Sequence, residues 1–363
     1  MTYETGGTVI DERISALPSV SMAKLAHQAV AGSLEPLLES ALTIREIPGT
    51  EKFYNAAAWE DEQGNTLLLG RKIEKAGEEG EPDVGSLVLL TLKNGNIDSS
   101  KEIWKPSDDA DYSLEDARAL PLNDGKIMFG LTAVDRNKTP HPAVIIVSTA
   151  ELANGDSFKP KVIEAMGQGR QTTPLAEIID TVDGKNGTPI SSSLVAFRPE
   201  GEANNHQLRI FEYREDGSVD HKQYIIFPKD IPWASWRIGT TIPPIWLDDN
   251  QAIFPIHGIT IVDEKYIYSI GGARLHKDSE GILSIDNISQ KSLIDPDTFV
   301  GIIDDDDVEL HSERRVVYCC GGIAVKAETG EIDSLKLFVN VGDKRTVEVT
   351  VPIDQLTRDW DTT

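Results

Sequence analysis

LEDARALPLNDGKIMFGLTA, residues 114–133, decides the fold. It opens on charged and small residues, passes through an apolar strand into a tight Asp-Gly turn, and returns as a second apolar strand. Such runs, bounded by turn-forming pairs, mark β-hairpins. The pattern recurs as YNAAAWEDEQGNTLLLGRK from Tyr54, NGTPISSSLVAFRPEG from Asn186 and IGTTIPPIWLDDNQAIFPIHG from Ile238. A fifth copy is RVVYCCGGIAV from Arg315 with its partner LKLFVNVGDK. The copies lie roughly 50–80 residues apart, the period of a propeller blade with loop insertions. A β-sandwich would share the alternating strands but not this long period, and no βαβ rhythm supports a Rossmann sheet or TIM barrel. The chain is therefore predicted to be all-β, a five-bladed β-propeller spanning residues 45–363. Residues 1–44 form an N-terminal extension with a helix, because SMAKLAHQAVAGSLEPLLESALT spaces Leu, Ala and Val at three and four residues.

A propeller gathers the starts of its inner strands around one shaft, so residues distant in sequence meet in one polar pocket. FEYREDGSVDHKQYIIF is a further hairpin, and in both it and LPLNDGKIMFGL the DG pair is expected to supply positive φ angles.

Composition narrows the function classes. The 363 residues carry a formal net charge of −25, with 39% hydrophobic and 26% charged residues. So acidic a surface repels a phosphate backbone and argues against nucleic-acid binding, and it disfavours anionic membranes. No apolar run is long enough to span a bilayer. MTYETGGTVIDERIS lacks the basic and apolar regions of a signal peptide, so a cytoplasmic location is expected. The only cysteines, Cys319 and Cys320, are adjacent, which strains a disulfide and suits two buried thiols in a reducing compartment. The aspartate run Asp304–Asp307 lacks the spaced pattern of a calcium loop and reads as a solvated turn, so no metal and no cofactor are expected.

Glu115-Asp116-Ala117-Arg118 is the segment most suggestive of chemistry. Strict alternation would turn Glu115 and Asp116 to opposite faces, one into the shaft and the other held by neighbours. A carboxyl group backed by an apolar strand tends towards a raised pKa and can act as a general acid. An ion pair capping the strand start is the alternative. Arg71 could pair with Glu60 or Asp61 across its hairpin, and His257 could be a satisfied core histidine. Trp104, Trp233 and Trp236 are either sugar platforms or plugs between blades.

Taken in order, these segments resemble glycoside hydrolase family 130, the β-mannoside phosphorylases and hydrolases on five-bladed propellers, and the related β-1,2-mannosyltransferase/phosphorylase family. The family's Glu-Asp-Pro-Arg segment is matched by LEDARAL with Ala117 for the proline, which implies that Asp116 is the proton donor, flanked by Glu115 and Arg118 as substrate-binding residues. YNAAA and LLLGR correspond to the first-blade motifs and imply roles for Asn55 and Arg71. GLTAV and FPIHG follow the family pattern with Leu131 and Ile256 in place of aromatic residues, and the second places His257. The third blade departs most, offering Lys185, Asn186 and, as an alternative, Arg198. FVNVGD places Asp343.

The resemblance implies an inverting β-mannoside phosphorylase acting on a mannose-containing oligosaccharide, with inorganic phosphate as co-substrate and α-mannose 1-phosphate as product. Asp116 is then the catalytic acid; Asn55, Glu115, Arg118, Asn186 and Asp343 bind sugar; Arg71, Lys185 and His257 bind phosphate. Cations rather than a second carboxylate are what a phosphorylase needs, because phosphate is already a nucleophile. A hydrolase, a GDP-mannose-dependent mannosyltransferase and a non-catalytic glycan- or protein-binding propeller are the alternatives, the last favoured by the missing aromatics at Leu131 and Ile256. The N-terminal helical segment could pack on a neighbouring subunit of a homo-oligomer.

Overall fold

A computed structural model describes residues 42–75, 84–106, 111–154, 158–180, 190–214, 216–299, 314–342 and 345–357. The predicted N-terminal helix and the aspartate run lie outside these residues. Thr43–Thr363 forms one compact unit. Its first strand is β1 (Thr43–Glu46). Blade one is β2 (Phe53–Glu60), β3 (Thr66–Lys75), β4 (Val84–Lys93) and β5 (Asn96–Trp104); blade two is β6 (Tyr112–Pro121), β7 (Lys126–Asp135), β8 (Pro140–Ser148) and β9 (Lys161–Val162). Blade three is β10 (Gly169–Asp180), β11 (Ile190–Pro199), β12 (Gln207–Arg214) and β13 (Val219–Ile226). Blade four is β14 (Arg237–Thr240), β15 (Ile245–Trp246), β16 (Gln251–Val262), β17 (Lys265–Lys277) and β18 (Leu283–Ile288), with β19 (Arg314–Arg315) added in parallel to β17. Blade five is β20 (Val317–Lys326), β21 (Ile332–Val341) and β22 (Arg345–Pro352), and β1 completes it by pairing Thr43 with Thr350 through Glu46 with Val347. The five sheets make the five-bladed propeller, closed by joining the start of the described chain to its last strand.

The middle strands, such as β7, are apolar on both faces because each blade packs against two neighbours. In β7, Ile127, Phe129, Leu131 and Ala133 join Trp59, Leu67 and Leu69 of blade one, with the Trp59 and Phe129 rings edge-on at 5.3 Å. Met128, on the other face, joins Phe197 and Phe211 of blade three. Similar clusters join blades three and four around Ile210 and Phe254, four and five around Tyr268 and Tyr318, and five and one around Phe338 and Leu68. Alternation therefore alternates between neighbours rather than between core and water, which explains strands that read as continuous hydrophobic runs. Gly130 lies where a side chain cannot: a Cβ there would come 2.4 Å from the carbonyl oxygen of Thr172 in blade three.

Two sequence expectations need correction. The third repeat does not begin near Asn186. That stretch leads into β11, and the inner strand of the blade is β10, GRQTTPLAEIID, whose Arg, Gln, Thr and Pro disguise it as a loop. The DG turns also differ in detail. Gly125 and Gly217 have φ of +79°, while Asp124 and Asp216 do not enter the positive-φ region. Leu122 closes on Lys126 and Arg214 on Ser218, so one glycine in the left-handed conformation completes each turn.

Candidate active site

The inner strands of the first three blades share one irregularity. In blade one, Tyr54 faces Arg71 and Ala57 faces Leu69, so two residues oppose Gly70 alone. In blade two, Glu115 faces Thr132 and Arg118 faces Gly130. In blade three, Arg170 faces Arg198 and Thr173 faces Ala196. Each is a bulge whose first extra residue is left-handed: Asn55 at φ +50°, Asp116 at +54° and Gln171 at +62°. Bulges re-aim side chains, and non-glycine residues at positive φ concentrate at functional sites. In blade two the bulge starts at Asp116, so strict alternation does not continue through Asp116 and Ala117.

The re-aimed side chains meet across the blades. Asn55 Nδ2 donates to Asp116 Oδ1 at 2.7 Å. Asn340 Nδ2, from blade five, reaches Asn55 Oδ1 at 3.4 Å. Glu115 accepts from Arg71 Nη1 at 2.5 Å and lies 3.7 Å from Arg170 Nη1. Arg170 Nε in turn donates to Glu200 at 3.0 Å, so a ladder of alternating charge crosses blades one to three. Burial pushes the Glu115 carboxyl up, with Asp116 adding, against the pull of Arg71 and Arg170. Arg71 therefore pairs with Glu115 across blades, while Asp61 caps the turn of its own hairpin at Asn65.

Arg118 is wholly buried. Its Nε donates to Thr241 O at 2.8 Å, Nη1 to Asp116 O at 2.8 Å, and Nη2 to Thr240 O at 3.2 Å and to the Tyr318 hydroxyl at 2.8 Å. Burial disfavours this cation, but Cys320, Tyr318 and Asp116 outweigh it and hold the guanidinium above its ordinary value. With its donors engaged by protein oxygens, Arg118 is not poised to bind substrate as the resemblance implied.

His257 is also wholly buried. Its Nδ1 lies 3.2 Å from Thr240 O, the carbonyl that Arg118 also uses, and its Nε2 lies 3.0 Å from Gln171 Nε2. Nδ1 therefore donates to the carbonyl and Nε2 accepts from the Gln171 amide. Burial, then Arg198 and Arg118, drive its pKa well below the ordinary value. The ring is neutral at pH 7, so it supplies no positive charge for phosphate. Gly239 makes room for this contact, because a Cβ there would fall on Gln171 Oε1. Tyr318 packs edge-on against the imidazole at 4.8 Å.

Arg198, the alternative third-blade residue, is 4% exposed. Among the described residues its side chain makes no hydrogen bond and no ion pair. Burial, then Arg237, draws its guanidinium down to about 10, while Tyr318 and Glu200 pull the other way. Lys185, Asn186 and Asp343 lie outside the described residues. The structure thus brings Asn55, Arg71, Glu115, Asp116, Arg118 and His257 into one linked cluster and adds Arg170, Gln171, Arg198 and Tyr318. The signal for Gln171 was present: Arg170-Gln171-Thr172-Thr173 stands in the same register as Tyr54-Asn55-Ala56-Ala57 and Glu115-Asp116-Ala117-Arg118.

Trp233 and Trp236 serve packing. Trp233 is buried against Gly258 and Gly271 and donates to Ser289 O at 2.9 Å. Trp236 has the Arg237 guanidinium 4.2 Å over its ring and Tyr266 at 4.8 Å. Trp104 lines a separate cleft of about 430 Å³ between blades one and two. The missing aromatics are not at the site: Leu131 and Ile256 are fully buried in clusters between blades.

The fold is shared with known carbohydrate-active propellers. The chain matches a β-1,2-mannobiose phosphorylase from Listeria innocua, solved with β-1,2-mannobiose, at TM-score 0.61 and 15% identity, over 91% of this chain and 96% of that one. The fold is that of a mannoside phosphorylase. A structure described with the mannoside phosphorylases and glycoside hydrolases of family 130 that target β-1,2 mannosidic linkages in Candida mannan matches at TM-score 0.57 and 12% identity, over 85% and 94%. A glycosyl hydrolase from Bacteroides ovatus matches at TM-score 0.57 and 15% identity, over 85% and 90%. No family model and no curated protein matches by sequence. Among the described residues no helix is long and apolar enough to cross a membrane, and no group of side chains is arranged to hold a metal.

Proposed function

We propose that this protein is an inverting β-mannoside phosphorylase with Asp116 as the proton donor. The observation that carries the reading is Arg198, a buried guanidinium with no partner among the described residues, near Arg170, Arg237 and Tyr318. Burying a cation unpaired is costly, and such groups mark sites that bind the opposite charge. Arginine suits a phosphate dianion, which it can grip through two parallel hydrogen bonds. The anion site assigned here is thus Arg198, in place of the neutral His257 and of Arg71 and Arg170, which Glu115 and Glu200 engage. Lys185 remains part of the proposal as a second cation.

In the reaction, a phosphate oxygen attacks the anomeric carbon from the face opposite the glycosidic oxygen. The carbon–oxygen bond to the leaving sugar breaks, and that oxygen takes the Asp116 proton, directly or through a sugar hydroxyl as in the family. The products are α-mannose 1-phosphate and the shortened mannoside. Asn55 holds one Asp116 oxygen and leaves the other for the proton. An inverting hydrolase would need a second carboxylate free to activate water. Glu115, the neighbouring carboxylate, is instead committed to Arg71 and Arg170.

Incubation with α-mannose 1-phosphate and a mannose or β-mannobiose acceptor should release inorganic phosphate, and Asp116→Asn should abolish the release. Turnover of β-mannosides that does not depend on phosphate would point to hydrolysis, and use of GDP-mannose to transfer. Absence of turnover with every donor would leave a binding module.

A further inference from the structure

Asp116 holds a backbone conformation that is uncommon outside glycine. Its φ of +54° lies in the left-handed region, which non-glycine residues enter only when their surroundings fix them there. Two of the three bulges reveal how this is done. In blade three, the side chain two residues beyond the left-handed Gln171 turns back on it: Thr173 Oγ1 donates to Gln171 O at 3.0 Å. Thr240 Oγ1 from blade four reaches the same carbonyl at 3.0 Å. In blade two, Arg118 stands in the place of Thr173 and does likewise, donating through Nη1 to Asp116 O at 2.8 Å.

Arg118 can fix that carbonyl because the rest of its guanidinium is immobile. Two backbone carbonyls of the Thr240–Thr241 segment and the phenol of Tyr318 hold its remaining nitrogens. None of its acceptors in these contacts is a carboxylate. An ion-pair partner would anchor it more strongly, yet it would not span blades two, four and five at three separate points. The Tyr318 ring is itself braced on His257, which Gln171 and Thr240 hold in turn.

We infer that Arg118, clamped by Thr240, Thr241 and Tyr318, is a positioning residue that fixes Asp116 in its left-handed conformation and so aims its carboxyl at Asn55 and the reacting oxygen. The catalytic consequence rests on the phosphorylase reading; the geometric statement does not. Crystal structures of Arg118→Lys and Tyr318→Phe test the geometry. Lysine keeps the charge but cannot reach four oxygens at once, and phenylalanine removes one anchor while keeping the ring against His257. In each, Asp116 should leave positive φ, or its contact with Asn55 should lengthen beyond hydrogen-bond reach, about 3.2 Å. In the active enzyme kcat should fall by up to about a hundredfold, the scale of a 1 Å misplacement, with KM little changed. Should Arg118→Lys fail to fold, Tyr318→Phe decides alone. Asp116 unmoved and still bonded to Asn55 in every folded variant overturns the inference, whether or not phosphorolysis is detected. An inactive parent whose Asp116 nevertheless shifts in the variants would refute the reaction and leave the clamp standing.

Discussion

Replacing Arg198 by methionine is expected to strengthen the fold while removing the anion site. The guanidinium is drawn from 12.5 to about 10, chiefly by burial. At about 1.4 kcal/mol per pH unit, that difference corresponds to about 3 kcal/mol of cost in the folded state. Because the folded value is the lower one, the cost is fully present at every pH below about 10 and disappears only as both states lose the proton. Methionine keeps an unbranched stem and loses the charge, so the variant should gain about 1–3 kcal/mol, allowing for imperfect packing of the shorter head. Urea unfolding at pH 7 measures this directly. The same experiment with added phosphate separates a binding site from a packing accident. Phosphate at a hundred times its dissociation constant should stabilise the parent by about 2.7 kcal/mol and leave the variant unmoved. A variant weaker than the parent by more than about 1 kcal/mol, still stabilised equally by phosphate, would refute both the cost and the site.

Three further outcomes are expected. Asn55→Ala removes the 2.7 Å bond that orients the Asp116 carboxyl and should lower kcat by about tenfold or more, within the roughly hundredfold that a 1 Å misplacement costs; steady-state kinetics against the parent checks it. His257 has a depressed folded pKa, so only the unfolded chain takes up its proton as pH falls below about 6.5; stability should drop by up to about 1.4 kcal/mol per pH unit there. Urea melts at pH 6.5 and 5.5 should show that extra acid sensitivity in the parent and its loss in His257→Gln. Gly239→Ala would drive a methyl group into the Gln171 amide and the His257 ring, and thermal unfolding should report a loss of about 1–3 kcal/mol, the usual cost of overpacking.

The hairpins and the long period were legible because turn chemistry and strand patterning are local. LEDAR stood out for a local reason too, as charge abutting an apolar strand. What escaped was what depends on neighbours. β10 was hidden because its polar Gln171 and Thr173 meet a buried network supplied by blade four. The bulge at Asp116 left no mark, since aspartate does not announce positive φ as glycine does. Arg118 and His257 looked like available cations, and only their partners reveal one as a clamp and the other as neutral. Arg198 is the reverse case: FRPEG resembles a surface loop, and burial alone distinguishes it.

The pairing of Thr43–Glu46 with Arg345–Pro352 also has a temporal side. At translation rates of about 5–20 residues per second, some 300 residues separate the emergence of the two partners, a wait of roughly 15–60 seconds. Throughout that interval the early strand can only engage something else or nothing. Shortening the polypeptide at either extremity would open one and the same seam, and a fusion that tethers β1 away from β22 should trap rings that have every blade but never shut.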